Sequence, residues 1–392
     1  MSWRDRRLEV DAVSWTERYL AVRDRWLSKP NFQRWAAAFP LTRPTARRRA
    51  RALFDLCAGF VYSQILFACV RLKLFDLLAE GPLTADDIAA RLAVPLDSTH
   101  RLLEAVVSLR LVEKRPSGRF GLGSLGAALV GNPAVGAMVE HHSLLYADLH
   151  DPVGLLRGER RQTELSKYWT YSASDTLVAR VPESRPTDYT TLMSNSQPLV
   201  SDEILDAYPL NKHRCLLDVG GGDGSFLIEA AKRYAHLQLV LFDLPPVARR
   251  AGHRFAAMGL AQRARIHPGD FLAEPLPTGP DVVSLVRVVH DHDDDAAMLL
   301  LRSTHRALPA KGVLLLAEPM MGTPGAEPVA DAYFAFYLLA MGRGRPRTPQ
   351  TLQRMLQAAG FAETHLVRTR QPLQSRLIVA CKSSASPSVN LN

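Results

Sequence analysis

The stretch from residue 216 to residue 225 constrains the fold of this chain more than any other. A short apolar run ends in the carboxylate of Asp218 and a cluster of glycines, and a helical pattern follows. This order predicts a strand, a tight turn and a helix, the geometry in which backbone N–H groups at a helix start face a ligand. The turn residues Gly220, Gly222 and Gly224 are predicted to adopt positive φ and to let a ligand touch the backbone.

The residues around this turn favour a cationic ligand over a diphosphate. The dinucleotide pattern G-x-G-x-x-G would need a glycine at position 225, where this chain has Ser225. The carboxylate of Asp218 would repel a diphosphate, whereas it would attract a ligand that carries an amine or a sulfonium. A nicotinamide-binding fold and a glycine-rich turn without a ligand remain as alternatives.

Further acids follow the next two predicted strands. Asp243, with Leu244 beside it, ends one strand and could accept hydrogen bonds from two ribose hydroxyls. The next strand is followed by a glycine, a carboxylate for an exocyclic amine and a ring that can stack on a purine: Gly269, Asp270 and Phe271. Carboxylates after three successive strands predict an S-adenosylmethionine site.

The order of elements predicts an α/β fold with a terminal antiparallel hairpin, because the last two strands have no helix between them. Strands are expected near 215–219, 238–242, 263–267, 281–287, 312–318, 363–368 and 375–381. The predicted domains are a basic Trp-rich extension, a winged-helix-like dimerisation and substrate-lining domain, a catalytic domain and a disordered tail: 1–52, 53–200, 201–382 and 383–392.

The basic character of the chain belongs to its N-terminal extension. Residues 1–52 hold 13 Lys and Arg against 5 Asp and Glu, whereas the whole chain has a net charge of +9. Trp15, Tyr19, Val22 and Trp26 share one helix face with arginines beside it, which suits an interfacial membrane element. The alternative is an arm that packs on the same or a partner subunit. The start of the chain has no apolar signal region, so a cytoplasmic protein is expected.

Residues 53–132 are predicted to form a long helix, Leu53–Leu72, followed by two shorter helices and a hairpin. The most apolar stretch, residues 53–75, contains Asp55, Arg71 and Lys73, so a buried helix is expected rather than a membrane span. Such a winged-helix-like unit could bind DNA, but its second helix carries too few basic residues to neutralise phosphates. Dimerisation is therefore the favoured role, and no nucleic-acid partner is predicted.

His290 is the candidate general base. It follows the apolar strand 281–287 and should lie on the same sheet edge as the glycine turn, and its ordinary pKa suits it to accept a hydroxyl proton. Glu318, at the end of the next strand, could orient the imidazole, although a solvent-facing carboxylate is an equal alternative. The acids at 293–295 suit a helix start, and adjacent residues cannot all reach one metal ion, so no metal is predicted.

Aromatic and thioether side chains follow the catalytic edge. At helical spacing they would usually form core, but one side could line a large apolar acceptor cavity. The predicted substrate-lining residues are Met193, Met320, Phe334, Tyr337 and Met341.

Together these motifs resemble the S-adenosylmethionine-dependent O-methyltransferases of the plant caffeate and bacterial type, over about residues 50–382. The resemblance implies a winged-helix-like dimerisation domain, a Rossmann-like catalytic domain, and the roles above for the glycine turn, the acids, His290 and Glu318. Arg287 is included among the residues expected at the cofactor. The family commonly has a glutamate where this chain has Pro346, so the second orienting carboxylate is absent.

The segments 39–44, 54–64 and 344–348 resemble most closely the bacterial members that modify carotenoids. This likeness implies methyl transfer to the C1 hydroxyl of an acyclic hydroxycarotenoid, with His290 taking the hydroxyl proton as the new bond forms. A phenolic polyketide or a phenazine is the alternative acceptor. A winged-helix regulator that senses S-adenosylmethionine is the alternative from a different class.

Overall fold

The computed structural model describes residues 14–160, 162–168, 197, 200–372 and 375–384. The chain divides into two compact units, Met1–Ala127 and Ala128–Asn392. The predicted boundary between 52 and 53 falls within one continuous helix, Arg43–Arg71, and the division at 127 lies inside the predicted domain 53–200. The predicted tail lies almost wholly outside the described residues, as does Met193.

The N-terminal unit is helical with one small hairpin. Its helices are Trp15–Leu27, Pro30–Ala38, Arg43–Arg71, Leu74–Ala79, Ala85–Leu92, Leu96–Ser108 and Ser124–Val130. Strands β1 (Val112–Lys114) and β2 (Phe120–Leu122) pair antiparallel. Thr84 caps the helix Ala85–Leu92, because its hydroxyl accepts the Asp87 N–H at 3.2 Å while the Asp87 carboxylate accepts the Thr84 N–H.

The long helix differs from its prediction in length and in burial. It begins at Arg43, ten residues earlier than Leu53, and it is not a buried helix within the protomer. Its apolar side chains are exposed, among them Leu56 at 81% and Phe60 at 72%. By length and composition alone this helix could cross a membrane, with a mean hydropathy of 1.8 over its most apolar window.

The basic arm forms the two helices Trp15–Leu27 and Pro30–Ala38. Ser14 begins the first with a capping box, in which its hydroxyl accepts the Glu17 N–H at 3.2 Å and the Glu17 carboxylate accepts the Ser14 N–H at 2.9 Å. The predicted aromatic face is present but uncovered in the protomer, since Trp15 is 86% exposed. The first helix has no buried residue, so packing on its own subunit does not explain this face.

The C-terminal unit is built on a seven-stranded sheet in the order β5-β4-β3-β6-β7-β9-β8. The strands are β3 (Cys215–Val219), β4 (Gln238–Asp243), β5 (Ala264–Pro268), β6 (Val282–Val286), β7 (Val313–Glu318), β8 (Glu363–Val367) and β9 (Arg376–Cys381). All neighbours pair parallel except β9, which runs antiparallel to β7 and β8. The predicted strands and the terminal hairpin are confirmed.

The helices and irregular turns of this unit either precede β3 or connect the strands. Their bounds are Pro133–Asp148, Pro152–Leu156, Glu164–Tyr168, Ser225–Arg233, Pro245–Ala257, Asp294–Ala307, Ala335–Met341 and Pro349–Ala358, with a 3₁₀ turn at Val289–Asp291 and a π-helix at Val329–Phe334. Strands β6 and β7 are buried along their whole length, as expected for central strands with apolar clusters on both faces. This core fixes the strand ends that carry the site.

Candidate active site

The glycine turn has the predicted backbone geometry. Gly220, Gly222 and Gly224 have φ values of 68°, 62° and 80°. A Cβ added at Gly224 would lie 2.4 Å from the ring of Phe255, whereas one at Gly222 would meet nothing within 4 Å. The turn is therefore packed tightly against Phe255 at Gly224. It is open at Gly222, where a ligand could approach the backbone.

Asp218 lies at the end of β3 and is buried. Its Oδ1 accepts the Ser284 hydroxyl at 2.6 Å, while its Oδ2 has no hydrogen-bond partner in the described part of the chain. Burial, with a smaller contribution from the nearby Asp243, raises the pKa of Asp218 to about 7 against the opposing effect of the Ser284 hydrogen bond. A buried, unsatisfied carboxylate oxygen is costly without a ligand, and a cationic ammonium group would satisfy it.

Asp243 joins β4 to the glycine turn. Its Oδ2 accepts the Gly222 N–H and its Oδ1 accepts the Leu244 N–H, both at 2.7 Å. Burial raises the pKa of Asp243 to about 6, although both backbone hydrogen bonds favour the charged form. Each carboxylate oxygen keeps a lone pair, so the group could still accept hydrogen bonds from ribose hydroxyls.

The third acid follows β5. Gly269 donates its N–H to the Asp243 carbonyl at 2.9 Å, which fixes the chain beside β4, and the Asp270 carboxylate accepts the Leu272 N–H at 2.9 Å. The Phe271 ring stands edge-on to His292, with ring centroids 5.2 Å apart. Because β5, β4 and β3 are neighbours in the sheet, all three predicted acids follow adjacent strands at one edge.

His290 lies between two carboxylates in the 3₁₀ turn after β6. Its Nδ1 is hydrogen-bonded to Oε2 of Glu318, and its Nε2 lies 3.2 Å from Oδ1 of Asp291. Glu318 is held in turn, because its Oε1 accepts the N–H groups of Val288 at 3.1 Å and Val289 at 2.7 Å. Glu318 is thus a buried partner of the imidazole rather than a solvent-facing carboxylate.

The two acids control the protonation of His290. Burial by itself lowers the pKa of this imidazole, but Asp291 and Glu318 outweigh burial, so the pKa lies above its ordinary value. Burial also raises the pKa of Asp291 to about 6, against the effect of the imidazolium. Asp291 is therefore a second carboxylate partner of the His290 imidazole.

Arg347 is a residue of the site that the sequence did not reveal. Its buried guanidinium donates to the backbone carbonyls of Val289 at 2.9 Å and His292 at 2.7 Å, one on each side of His290. The Arg345 N–H donates to the His290 carbonyl at 2.9 Å. The segment that has Pro346 in place of a carboxylate thus holds the catalytic turn through its arginine and its backbone.

Arg287 ends the same strand in a left-handed conformation, with φ of 57°, and donates its N–H to the Ala317 carbonyl at 2.8 Å. This backbone conformation is uncommon for a side chain with a Cβ and is typical of functional sites. The guanidinium acts electrostatically on His290 and on Asp291, where it lowers the pKa of both. Arg287 is therefore close to the catalytic turn.

The predicted substrate-lining residues separate into two groups. The ring of Phe334 meets the imidazole of His290 nearly perpendicularly, with centroids 5.8 Å apart, and Phe334 is only partly buried. Tyr337 is hydrogen-bonded to Nε2 of His141 at 2.7 Å. Met320 and Met341 are each 1% exposed and pack within hydrophobic clusters, so they differ from the prediction and form core.

The fold and this edge define a methyltransferase that uses S-adenosylmethionine as its methyl donor. The chain belongs to the O-methyltransferase family: the O-methyltransferase domain matches residues 146–362, and the O-methyltransferase dimerisation domain matches residues 54–132. The dimerisation domain supports a homodimer and includes most of the exposed long helix.

Individual relatives agree with this assignment. The chain is 39% identical to the demethylspheroidene O-methyltransferase of Cereibacter sphaeroides, across 91% of this chain and 93% of the relative. It is 38% identical to the protein of the same name from Rhodobacter capsulatus, across 87% and 84%. The solved structure of human N-acetylserotonin methyltransferase with SAM superposes with a TM-score of 0.72 at 25% identity, covering 86% of this chain and 98% of that one.

Proposed function

We propose that this enzyme methylates the C1 hydroxyl of an acyclic hydroxycarotenoid in bacterial carotenoid biosynthesis. The observation that carries this acceptor is the similarity to two demethylspheroidene O-methyltransferases over nearly the whole chain. The His290 site supports O-methylation itself, since it offers a buried imidazole with one nitrogen fixed by Glu318.

The glycine edge would hold the methyl donor. Asp218 Oδ2 is the acceptor for an ammonium group, Asp243 for ribose hydroxyls and Asp270 for an exocyclic amine, with Phe271 beside the purine. When bound, S-adenosylmethionine supplies a methyl group activated on a sulfonium. The open side of Gly222 leaves room for a ligand against the backbone.

The imidazole of His290 would take the proton of the acceptor hydroxyl at Nε2. The hydrogen bond to Glu318 keeps the other ring proton on Nδ1 and stabilises the imidazolium once it forms. In the structure the carboxylate of Asp291 occupies the vicinity of Nε2, so the acceptor hydroxyl must take the place of that contact. An alkyl alcohol is far less acidic than an imidazolium, so His290 removes the proton only as the new oxygen–carbon bond forms.

A direct assay tests the acceptor. The purified enzyme is incubated with methyl-labelled S-adenosylmethionine and, in separate reactions, 1-hydroxyneurosporene, demethylspheroidene, a phenazine phenol and a naphthoate phenol. We expect label only in the carotenoids. Label in the phenols alone would replace the carotenoid proposal with the alternative acceptor class, and label in none would contradict both.

We also propose that the basic arm contacts a lipid surface peripherally. Its exposed aromatic side chains and arginines on the helix Trp15–Leu27 have the composition that membrane interfaces favour. An apolar polyene acceptor would partition into the lipid, so an enzyme bound at the lipid surface would be close to its substrate. The test is flotation with phosphatidylcholine vesicles, with and without phosphatidylglycerol. The wild-type protein should float with the vesicles, and a variant with Ser in place of Trp15, Tyr19 and Trp26 should not. Equal flotation of the variant and the wild type would contradict this contact.

A further inference from the structure

A basic pocket lies beside the terminal hairpin, and its lining residues have no part in the proposed function. It has a volume of about 410 Å³. Its walls come from the loop after β7, the end of β8 and the start of β9: Thr323, Pro324, Leu366, Val367, Arg368, Thr369, Arg370, Pro372 and Arg376. We call it the arginine pocket.

The arginine pocket is on the same sheet edge as the methyl-donor site but at the opposite end of the sheet, beside the strand end that carries Glu318. Val367 pairs with Leu377, and Glu318 pairs with Arg376, so the carboxyl ends of β7 and β8 meet the start of β9 there. In the sheet order, the acids at β5, β4 and β3 are at one end and β9 and β8 at the other. The pocket is therefore separate from the methyl-donor site.

The charges of the arginine pocket are unbalanced. Among the residues that the structure describes, three guanidinium groups line it and no carboxylate does. Arg370 is paired with Asp206 at 3.0 Å. Within the described part of the chain, the side chains of Arg368 and Arg376 have neither an ion pair nor a hydrogen bond, although they face one small cavity. Two like charges without a counter-ion repel each other, and an anion between them would remove this cost.

Two further polar features point to an anionic ligand. The hydroxyl oxygen of Thr369 is buried and has no hydrogen-bond partner among the described residues. The adjacent backbone N–H groups of Arg370 and Gln371 already bind a carboxylate, that of Glu203, at 2.7 Å and 3.0 Å. Arg376 is partly buried, and this burial lowers its pKa. The Thr369 hydroxyl and the Arg376 guanidinium would each gain from an oxyanion in the pocket, whereas the two backbone N–H groups are already satisfied by Glu203.

We propose that the arginine pocket binds a phosphate group, as a monoester or a diester. Phosphate oxygens can accept from two guanidinium groups and a hydroxyl at once, and arginine forks match this geometry well. The pocket is larger than inorganic phosphate, so it leaves space for the organic part of the ligand. A phospholipid headgroup and a soluble phosphate ester share this chemistry, and they are separated by experiment.

Calorimetry on the full-length chain at constant ionic strength tests the pocket. The probes are inorganic phosphate and dihexanoyl phosphatidylglycerol below its micelle concentration. The variants are the double substitution Arg368→Gln/Arg376→Gln and the single substitution Arg368→Gln. Arg354→Gln removes an exposed arginine on the helix Pro349–Ala358 and serves as the matched control.

We expect the affinity of the double variant to fall by at least about tenfold, as for loss of charge-assisted hydrogen bonds, and that of the control to stay unchanged. The affinity of the single variant should lie between those of the double variant and the control. Tighter binding of the lipid than of inorganic phosphate identifies a headgroup, and the reverse order identifies a soluble ester. Equal affinity of wild type and double variant, or no binding of either probe, overturns the proposal. Methyl transfer in detergent should be unaffected, so its loss would concern the proposed function instead.

Discussion

The protonation of His290 depends on neighbours that the sequence places far apart. Glu318 comes from the next strand and Arg347 from a loop beyond it, yet both bind the short turn that carries the imidazole. Asp291 adds a second carboxylate at the other ring nitrogen. The two carboxylates stabilise the imidazolium that forms when His290 takes the acceptor proton, and two substitutions test this arrangement.

Replacing His290 by Gln should lower turnover by at least about a hundredfold, since the variant cannot take the hydroxyl proton. The affinity for S-adenosylmethionine should change less than about twofold, because His290 contributes none of the donor-binding oxygens. Single-turnover kinetics and calorimetry measure the two quantities. His365→Gln, at an exposed position on β8, is the control. Unchanged turnover would remove His290 from the mechanism.

The pH dependence of kcat/KM should report the raised pKa of His290. The neutral imidazole is the active form, so activity is full above this pKa and declines as the pH falls through it, above the ordinary value of 6.5. Asp291→Asn removes a carboxylate that raises the pKa, so the acidic limb should move to lower pH. Asp295→Asn, at an exposed helix start, should leave the limb in place. A limb that stays unmoved in Asp291→Asn would contradict the role of Asp291.

Local patterns at strand ends were sufficient to predict Asp218, Asp243, Asp270, His290 and Glu318. The register of a parallel sheet brings such residues to one edge, and the sheet confirms that edge. Asp291 and Arg347 could not be assigned in this way. Their roles depend on side-chain direction and on a loop 55 residues downstream of His292, to which no strand pattern applies.

At the level of elements, a substitution in the glycine turn can separate an effect on ligand binding from an effect on stability. Gly222→Ala puts a methyl group into open space at φ of 62°, whereas Gly259→Ala does so at φ of 70° in a distant loop. Both carry the same backbone strain, about 1–2 kcal/mol. Similar losses of melting temperature are expected, but only Gly222→Ala should weaken S-adenosylmethionine binding. Equal affinity in both variants would mean that no ligand approaches Gly222.

Helix starts show where sequence patterns are incomplete. The helix Arg43–Arg71 begins in a run of arginines, so an apolar periodicity first becomes visible about ten residues later. A proline in the first turn marks the start of this helix and also that of the helix Pro30–Ala38. The second of these helices was not predicted from the sequence. An apolar helix pattern cannot tell burial within a protomer from burial against a partner, and the exposed face of the helix Arg43–Arg71 points to a partner.

At the scale of the whole molecule, the exposed face of the helix Arg43–Arg71 should form part of the homodimer interface. Leu56 and Phe60 are exposed in the protomer and lie within the family's dimerisation domain. Phe60→Glu would bury an unpaired carboxylate in that interface, so the dimer should dissociate at least about tenfold more readily.

Sedimentation equilibrium measures this dissociation. Met258→Glu is the matched control, because Met258 is also an exposed apolar residue, at 49%, but lies in the C-terminal unit. It should sediment as the wild type does. The melting temperature of Phe60→Glu at high protein concentration distinguishes dissociation from misfolding, since a folded monomer recovers the dimer by mass action. An unchanged dimer in Phe60→Glu would contradict a role of this face in the interface. The face would then be a candidate for contact with the lipid surface proposed for the arm, and the flotation assay would show weaker vesicle binding of Phe60→Glu.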